Sequence, residues 1–160
     1  MSKRGLKAAD QHGNALPSFA SHEDAVSYYF AFRDKHISLL KSISMGRSQF
    51  EMNYSPESLK RLEAWYFELY ENDSFESCRT ERATFERCMA MYFCEVVAKN
   101  FPDAEWVVEE FVFSPGKYEL GMRSGFGTYM ICRFTDHYRE PNNKRRQSIY
   151  RKYKHYFDRE

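Results

Sequence analysis

The chain has little of what metal-dependent, disulfide-stapled or membrane-anchored proteins require. Its four cysteines, Cys78, Cys88, Cys94 and Cys132, show neither Cys-x-x-Cys spacing nor a neighbouring histidine pair, so no zinc site is expected. The five histidines, at positions 12, 22, 36, 137 and 155, never fall at metal-ligand spacing. No run approaches the roughly 20 apolar residues of a membrane helix. The basic start, Met1-Ser-Lys-Arg-Gly-Leu-Lys7, has no apolar stretch behind it, which argues against a signal peptide. These absences predict no metal, no cofactor and no membrane, and reduced thiols suit a cytoplasmic setting. Glycine is scarce as well, 7 in 160 residues. Its densest cluster, Gly121-Met-Arg-Ser-Gly125-Phe-Gly127, links two expected strands and opens no helix with a following Lys-Ser or Lys-Thr. It reads as a tight hairpin needing positive φ, not as a phosphate loop.

What the chain does have is aromatic mass. The 14 Phe and 12 Tyr can fill a core despite a mean hydropathy of −0.73, because tyrosine scores as polar while its ring still packs. A length of 160 residues suits one domain without disulfide staples. The net charge of +1 conceals a segregation. Residues 21–138 carry 13 Lys/Arg against 19 Asp/Glu, net −6; residues 139–160 carry 8 against 3, net +5; residues 1–20 carry 3 against 1, net +2. An acidic body with basic ends can steer a charged partner, although a tail that merely neutralises the body explains it equally well.

Residues 1–20, with Gly5, Gly13, Asn14, Pro17 and Ser18 and few apolar groups, read as a mobile arm preceding a single α+β domain over 21–160. Ser21-His-Glu-Asp24 is a capping signal for a helix to about Ser44. Ser48 to Tyr54 alternates in period two, as a short edge strand or an extended link. Ser55-Pro56-Glu57 starts a second helix with a core face of Leu59, Leu62, Tyr66, Leu69 and Tyr70. Thr80 to Asn100 is apolar on most of its circumference between Cys88 and Val97, the mark of a central helix. Three strands follow, Glu105–Phe113, Tyr118–Arg123 and Thr128–Phe134. Ser114-Pro-Gly-Lys117 and Ser124-Gly-Phe-Gly127 form the turns between them, and Glu109-Glu110 suggests a bulge or a rim position. A last helix starts near Pro141, with Ile149, Tyr153, Tyr156 and Phe157 on one side. Helices flanking an antiparallel three-stranded meander define an α+β fold.

No constellation in the sequence nominates a catalytic site. Glu95 is the one carboxylate inside the central helix's apolar stretch; a buried carboxylate needs a partner, and Arg33 is the candidate for a structural polar pair. The enzymatic alternative, a small hydrolase or nucleic-acid-processing enzyme, would use Glu95 with His137 and the basic tail. Lys144, Arg145, Arg146, Arg151 and Lys152 form a candidate anion-binding cluster. Tyr150, Tyr153 and Tyr156 interleave with it as stacking groups would. Their helical spacing with Ile149 and Phe157 assigns most of them to the core, and the acidic body would repel a long polyanion, so nucleic acid is disfavoured as a partner. The preferred reading is a non-enzymatic protein-binding domain whose acidic face, Glu105, Glu109, Glu110 and Glu119, meets a basic partner. Oligomeric state is not legible.

The succession Tyr92-Phe-Cys-Glu95-Val-Val, Glu105-Trp-Val-Val, Tyr118-Glu-Leu and Asn142-Asn-Lys-Arg-Arg-Gln-Ser-Ile-Tyr-Arg-Lys-Tyr153 resembles small bacterial single-domain α+β proteins of unassigned function. Some similar proteins are immunity partners of polymorphic toxins. The resemblance spans residues 88–157, with Glu95 and Trp106 at the shared positions. It implies a scaffold and an inhibitory role; joined to the acidic body, the expectation is an immunity protein that covers the active site of a basic toxin domain.

Overall fold

A computed structural model describes residues 3–125, 127–131 and 147–158. The elements are α1 (Lys3–Ala15), α2 (His22–Ser44), α3 (Ser58–Glu71), a 3-10 turn (Phe75–Cys78), α4 (Arg82–Asn100), β1 (Glu105–Glu110), β2 (Tyr118–Ser124), β3 (Gly127–Met130) and α5 (Ser148–Tyr156). The fold is α+β, helices around an antiparallel sheet of order β1-β2-β3 with a helix at the C-terminal end.

Helix α2 begins where a side chain can satisfy an orphan amide: Ser21 Oγ accepts from Asp24 N at 3.1 Å, and Glu23 and Asp24 occupy the first turn, favourable against the helix dipole. Helix α3 follows the Ser55-Pro56 signal, with Ser58 N donating to Ser55 Oγ at 3.2 Å. It buries Trp65 and Phe67 as well as Leu59, Leu62, Tyr66 and Leu69, while Tyr70, expected in the core, is exposed beneath the Arg82 guanidinium. Between these helices, residues 48–54 are an extended link rather than a strand. Phe50 plugs the core against Trp65 and Tyr92, and Tyr54 sits at a φ of 59° with its amide held by the Tyr92 hydroxyl.

Helix α4 is the centre of the molecule, as its nearly all-round apolar surface predicts. Met89 through Cys94, Val96 and Val97 are all fully buried. Each large apolar side chain so buried contributes on the order of 1.5–3 kcal/mol. It packs against α2, α3, α5 and the sheet.

In the meander, Val108, Tyr118, Leu120, Met122 and Tyr129 face the helices and are buried, while Glu105, Val107, Glu109, Glu119, Arg123 and Thr128 occupy the opposite face. Gly116 at φ 79°, with Lys117 N donating to Ser114 O, makes the first turn. Gly125 at φ 54° makes the second, where Asp103 accepts from Ser124 Oγ and Gly125 N. The glycine cluster is therefore a hairpin. The register through Glu109↔Glu119 and Glu110↔Tyr118 is regular, with no bulge at the paired glutamates. The third strand continues the ladder as far as Ile131 N donating to Leu120 O; its expected remainder and the Pro141 helix start lie outside the described residues.

Two further placements differ from expectation. The arm over residues 1–20 contains helix α1, which is seated on the β1–β2 turn. Gly13 approaches Ser114 so closely that a Cβ would meet Ser114 Oγ at 2.2 Å. His12 Nε2 contacts Glu119 Oε1 at 2.5 Å, and Lys117 Nζ donates to Leu16 O. The seat is polar and backbone-close, which an apolar-stripe criterion does not register. The second difference concerns buried carboxylates. Glu63 (1% exposed) and Glu86 (8%) are deeper than Glu95. Glu63 receives Ser148 N and Ser148 Oγ at 2.9 Å each and so anchors the first turn of α5 to α3. Glu86 receives the Tyr66 hydroxyl and Arg82. Both lie within apolar stripes, Leu59-Leu62-Glu63-Tyr66 and Phe85-Glu86-Met89-Phe93, and that spacing was the available signal.

Candidate functional site

The outer face of the meander gathers three of the four glutamates expected to meet a partner. Glu105, Glu109 and Glu119 share it, whereas Glu110 has the opposite parity and accepts from Gly116 N at 3.3 Å. Glu109 and Glu119 stand directly opposite each other, a like-charge cross-strand pair that is unfavourable unless compensated. Compensation comes from both sides: Arg123 bonds Glu105 at 3.2 Å and also Glu109, and His12 of α1 engages Glu119. The accessible part of the face is thus the exposed Glu105 and Thr128 with the half-buried Val107 and Glu109 around one arginine.

Glu95 and Arg33 do not pair with each other. They converge on Trp106 from different directions. The indole Nε1 donates to Glu95 Oε1 at 2.9 Å, and the Arg33 guanidinium lies 5.4 Å from the indole centroid and 4.4 Å from that of Phe30, with Arg33 Nε donating to Asp34. The cation finds aromatic faces and the carboxylate finds the indole N–H, so both are satisfied without a direct ion pair. Strand β1 inserts the ring that separates them, a long-range event that helical spacing alone does not reveal. Glu95 does not line the cleft between α2, α4 and β2, and its proposed catalytic partner His137 lies outside the described residues.

The basic tail is divided. Lys144, Arg145 and Arg146 lie outside the described residues; Arg151 is exposed on α5, and Lys152 turns its ammonium to the Tyr129 hydroxyl at 3.2 Å. Ile149 and Tyr153 are core residues, as their spacing predicts. The buried thiols are poor nucleophiles: desolvation pushes Cys88 up to about 12 and raises Cys94 further still. Among the described residues no cluster of His, Cys, Asp and Glu could hold a metal, and no helix is long and apolar enough to cross a membrane.

Sequence reasoning missed a cleft of about 500 Å³ beside the sheet. Helix α2 contributes Tyr28, Tyr29 and Phe32 to it, α4 contributes Arg87 and Met91, and β2 contributes Glu119 and Leu120, with Ile131 beyond the end of β3. The α1–α2 connection, Leu16 and Pro17, forms its rim. The Tyr29 hydroxyl donates to Tyr118 O at 2.5 Å, capping the edge of β2 where β3 has ended. Five separate segments meet here, so no local motif marks the site.

Residues 18–157 match the family described as Uncharacterised protein YwmA. A protein of Bacillus subtilis (strain 168), named Uncharacterized protein YwmA, is 29% identical over 113 residues, 71% of each chain. No solved structure matches. The match takes in α2 and α3 as well as the region from residue 88 onward, and it brings no immunity or toxin role with it. Since it covers all three strands and every helix except α1, the chain belongs to the YwmA family.

Proposed function

We propose that the chain is a protein-binding domain that receives a basic partner on the outer face of its meander. The observation that carries this reading is the distribution of charge on that face: Glu105 and Glu109 are accessible beside Val107, no helix among the described residues covers them, and Arg123 is the cation between them. A small apolar centre rimmed by carboxylates complements a cationic surface and favours rapid, salt-sensitive association. In its narrowest form the partner is the basic active-site face of a toxin such as a nuclease domain. That version rests on the acidity of the face alone.

The test uses the full chain and its Glu105→Lys/Glu109→Lys variant, each immobilised and exposed to extract of the organism that encodes it. The expected result is a basic protein held by the wild type and absent from the variant. Once purified, it should rebind less tightly at 300 mM than at 50 mM salt, where screening is weaker (Debye length about 10 Å at 0.1 M). Capture of the same proteins by both forms, or of none, would overturn the proposal.

A further inference from the structure

The geometry points to the cleft between α2, α4 and β2 as a binding site for a small aromatic carboxylate. Its size, about 500 Å³, lies within the range of small-molecule sites. The walls are largely apolar and partly aromatic. Tyr28 is 48% exposed while stacking at 6.4 Å on Phe32, which in turn contacts His36, so an aryl ring can extend an existing ladder along α2.

The charge requirement comes from Arg87. Arg33, Arg47, Arg82 and Arg123 each make a hydrogen bond, whereas the exposed Arg87 guanidinium makes no hydrogen bond and no ion pair among the described residues, although it lines the cleft. Glu119, the acidic group in the same cleft, is engaged by His12. His36, behind Phe32, has its pKa lowered by burial and therefore adds little positive charge at neutral pH. A guanidinium stays charged throughout the physiological range and presents a planar fork that fits a carboxylate. A single such cation suits a monoanion better than a phosphate dianion, and it repels cationic ligands. A flexible alkyl acid would satisfy Arg87 but would lose rotamer freedom and gain no stacking, which favours a ring as the apolar body.

The test is calorimetric titration of the full chain at 50 mM salt with 1-naphthoate, neutral 1-naphthalenemethanol and octanoate. Arg87→Gln and Arg87→Lys are titrated in parallel, with thermal melts to establish that both variants fold. Naphthoate should bind the wild type and lose about tenfold or more in affinity with Arg87→Gln, the loss of one charge-assisted hydrogen bond. Arg87→Lys should fall between the two, and naphthalenemethanol should bind more weakly than naphthoate and be indifferent to either substitution. Absence of naphthoate binding, equal affinity for wild type and Arg87→Gln, or octanoate binding as tightly as naphthoate would each overturn the assignment.

Discussion

Replacing Glu63 with alanine tests the link between α3 and α5. The carboxylate is 1% exposed, and its two oxygens receive Ser148 N and Ser148 Oγ at 2.9 Å each. Ser148 is the first residue of α5, so its amide is one that the helix itself cannot satisfy. Hydrogen bonds to a charged acceptor contribute about 1.5–3 kcal/mol each, and an amide left buried without a partner adds its own desolvation cost. Glu63→Ala should therefore cost about 3–5 kcal/mol, a large part of the roughly 5–15 kcal/mol that stabilises a domain. Glu63→Gln preserves the geometry: its oxygen accepts from Ser148 N, and its amide donates to Ser148 Oγ once the hydroxyl rotates. The cost should then fall to about 1–2 kcal/mol, the charge assistance and the favourable placement of an anion at a helix start. Urea unfolding of wild type, both variants, Ser148→Ala and the double mutant Glu63→Ala/Ser148→Ala supplies the assay, since partners in contact are non-additive. Hydrogen exchange at the α5 amides reads local release. A loss below about 1 kcal/mol for Glu63→Ala, or equal losses for Ala and Gln, would refute the reasoning.

Phe93, fully buried on α4 against Tyr129 and Phe157, should lose about 3–5 kcal/mol on truncation to alanine, measured as a lowered urea midpoint at unchanged slope. Gly13→Ala places a methyl group against Ser114 and should unseat α1, so that exchange protection and protease resistance fall over residues 3–15 while α4 stays protected; unaltered protection in α1 would contradict the seat described above. His36 has its pKa lowered below 6.5 by burial, then opposed by the Phe32 carbonyl it bonds, with Arg87 and Lys35 lowering it further. Below about 6.5 the unfolded chain takes up a proton that the folded chain resists, so this residue's contribution costs stability as pH falls through that value and on through the folded pKa. Comparing melting curves of wild type and His36→Gln from pH 7.5 to 4.5 isolates the effect, and parallel curves would count against it.

The sequence by itself determined most of the elements from α2 onward and most of the core. The Ser21 and Ser55 caps, the apolar circumference of α4, the Pro115-Gly116 turn and the alternation of Tyr118–Arg123 are local signals, carried by neighbours within a few residues, and each appears where that chemistry places it. The α+β class follows from their order. Tertiary structure alone decided which polar groups meet. Trp106 of β1 stands between Arg33 and Glu95, Glu63 finds Ser148 across 85 residues, and His12 finds Glu119 across 107. The cleft likewise draws on α2, α4 and β2, with the α1–α2 connection at its rim. Periodicity tells which side of an element is buried, because burial is a property of one element against any apolar neighbour. Hydrogen bonds and charge pairs depend on direction and on a distance of about 3 Å, so their partners are fixed only when the packed elements bring particular atoms together.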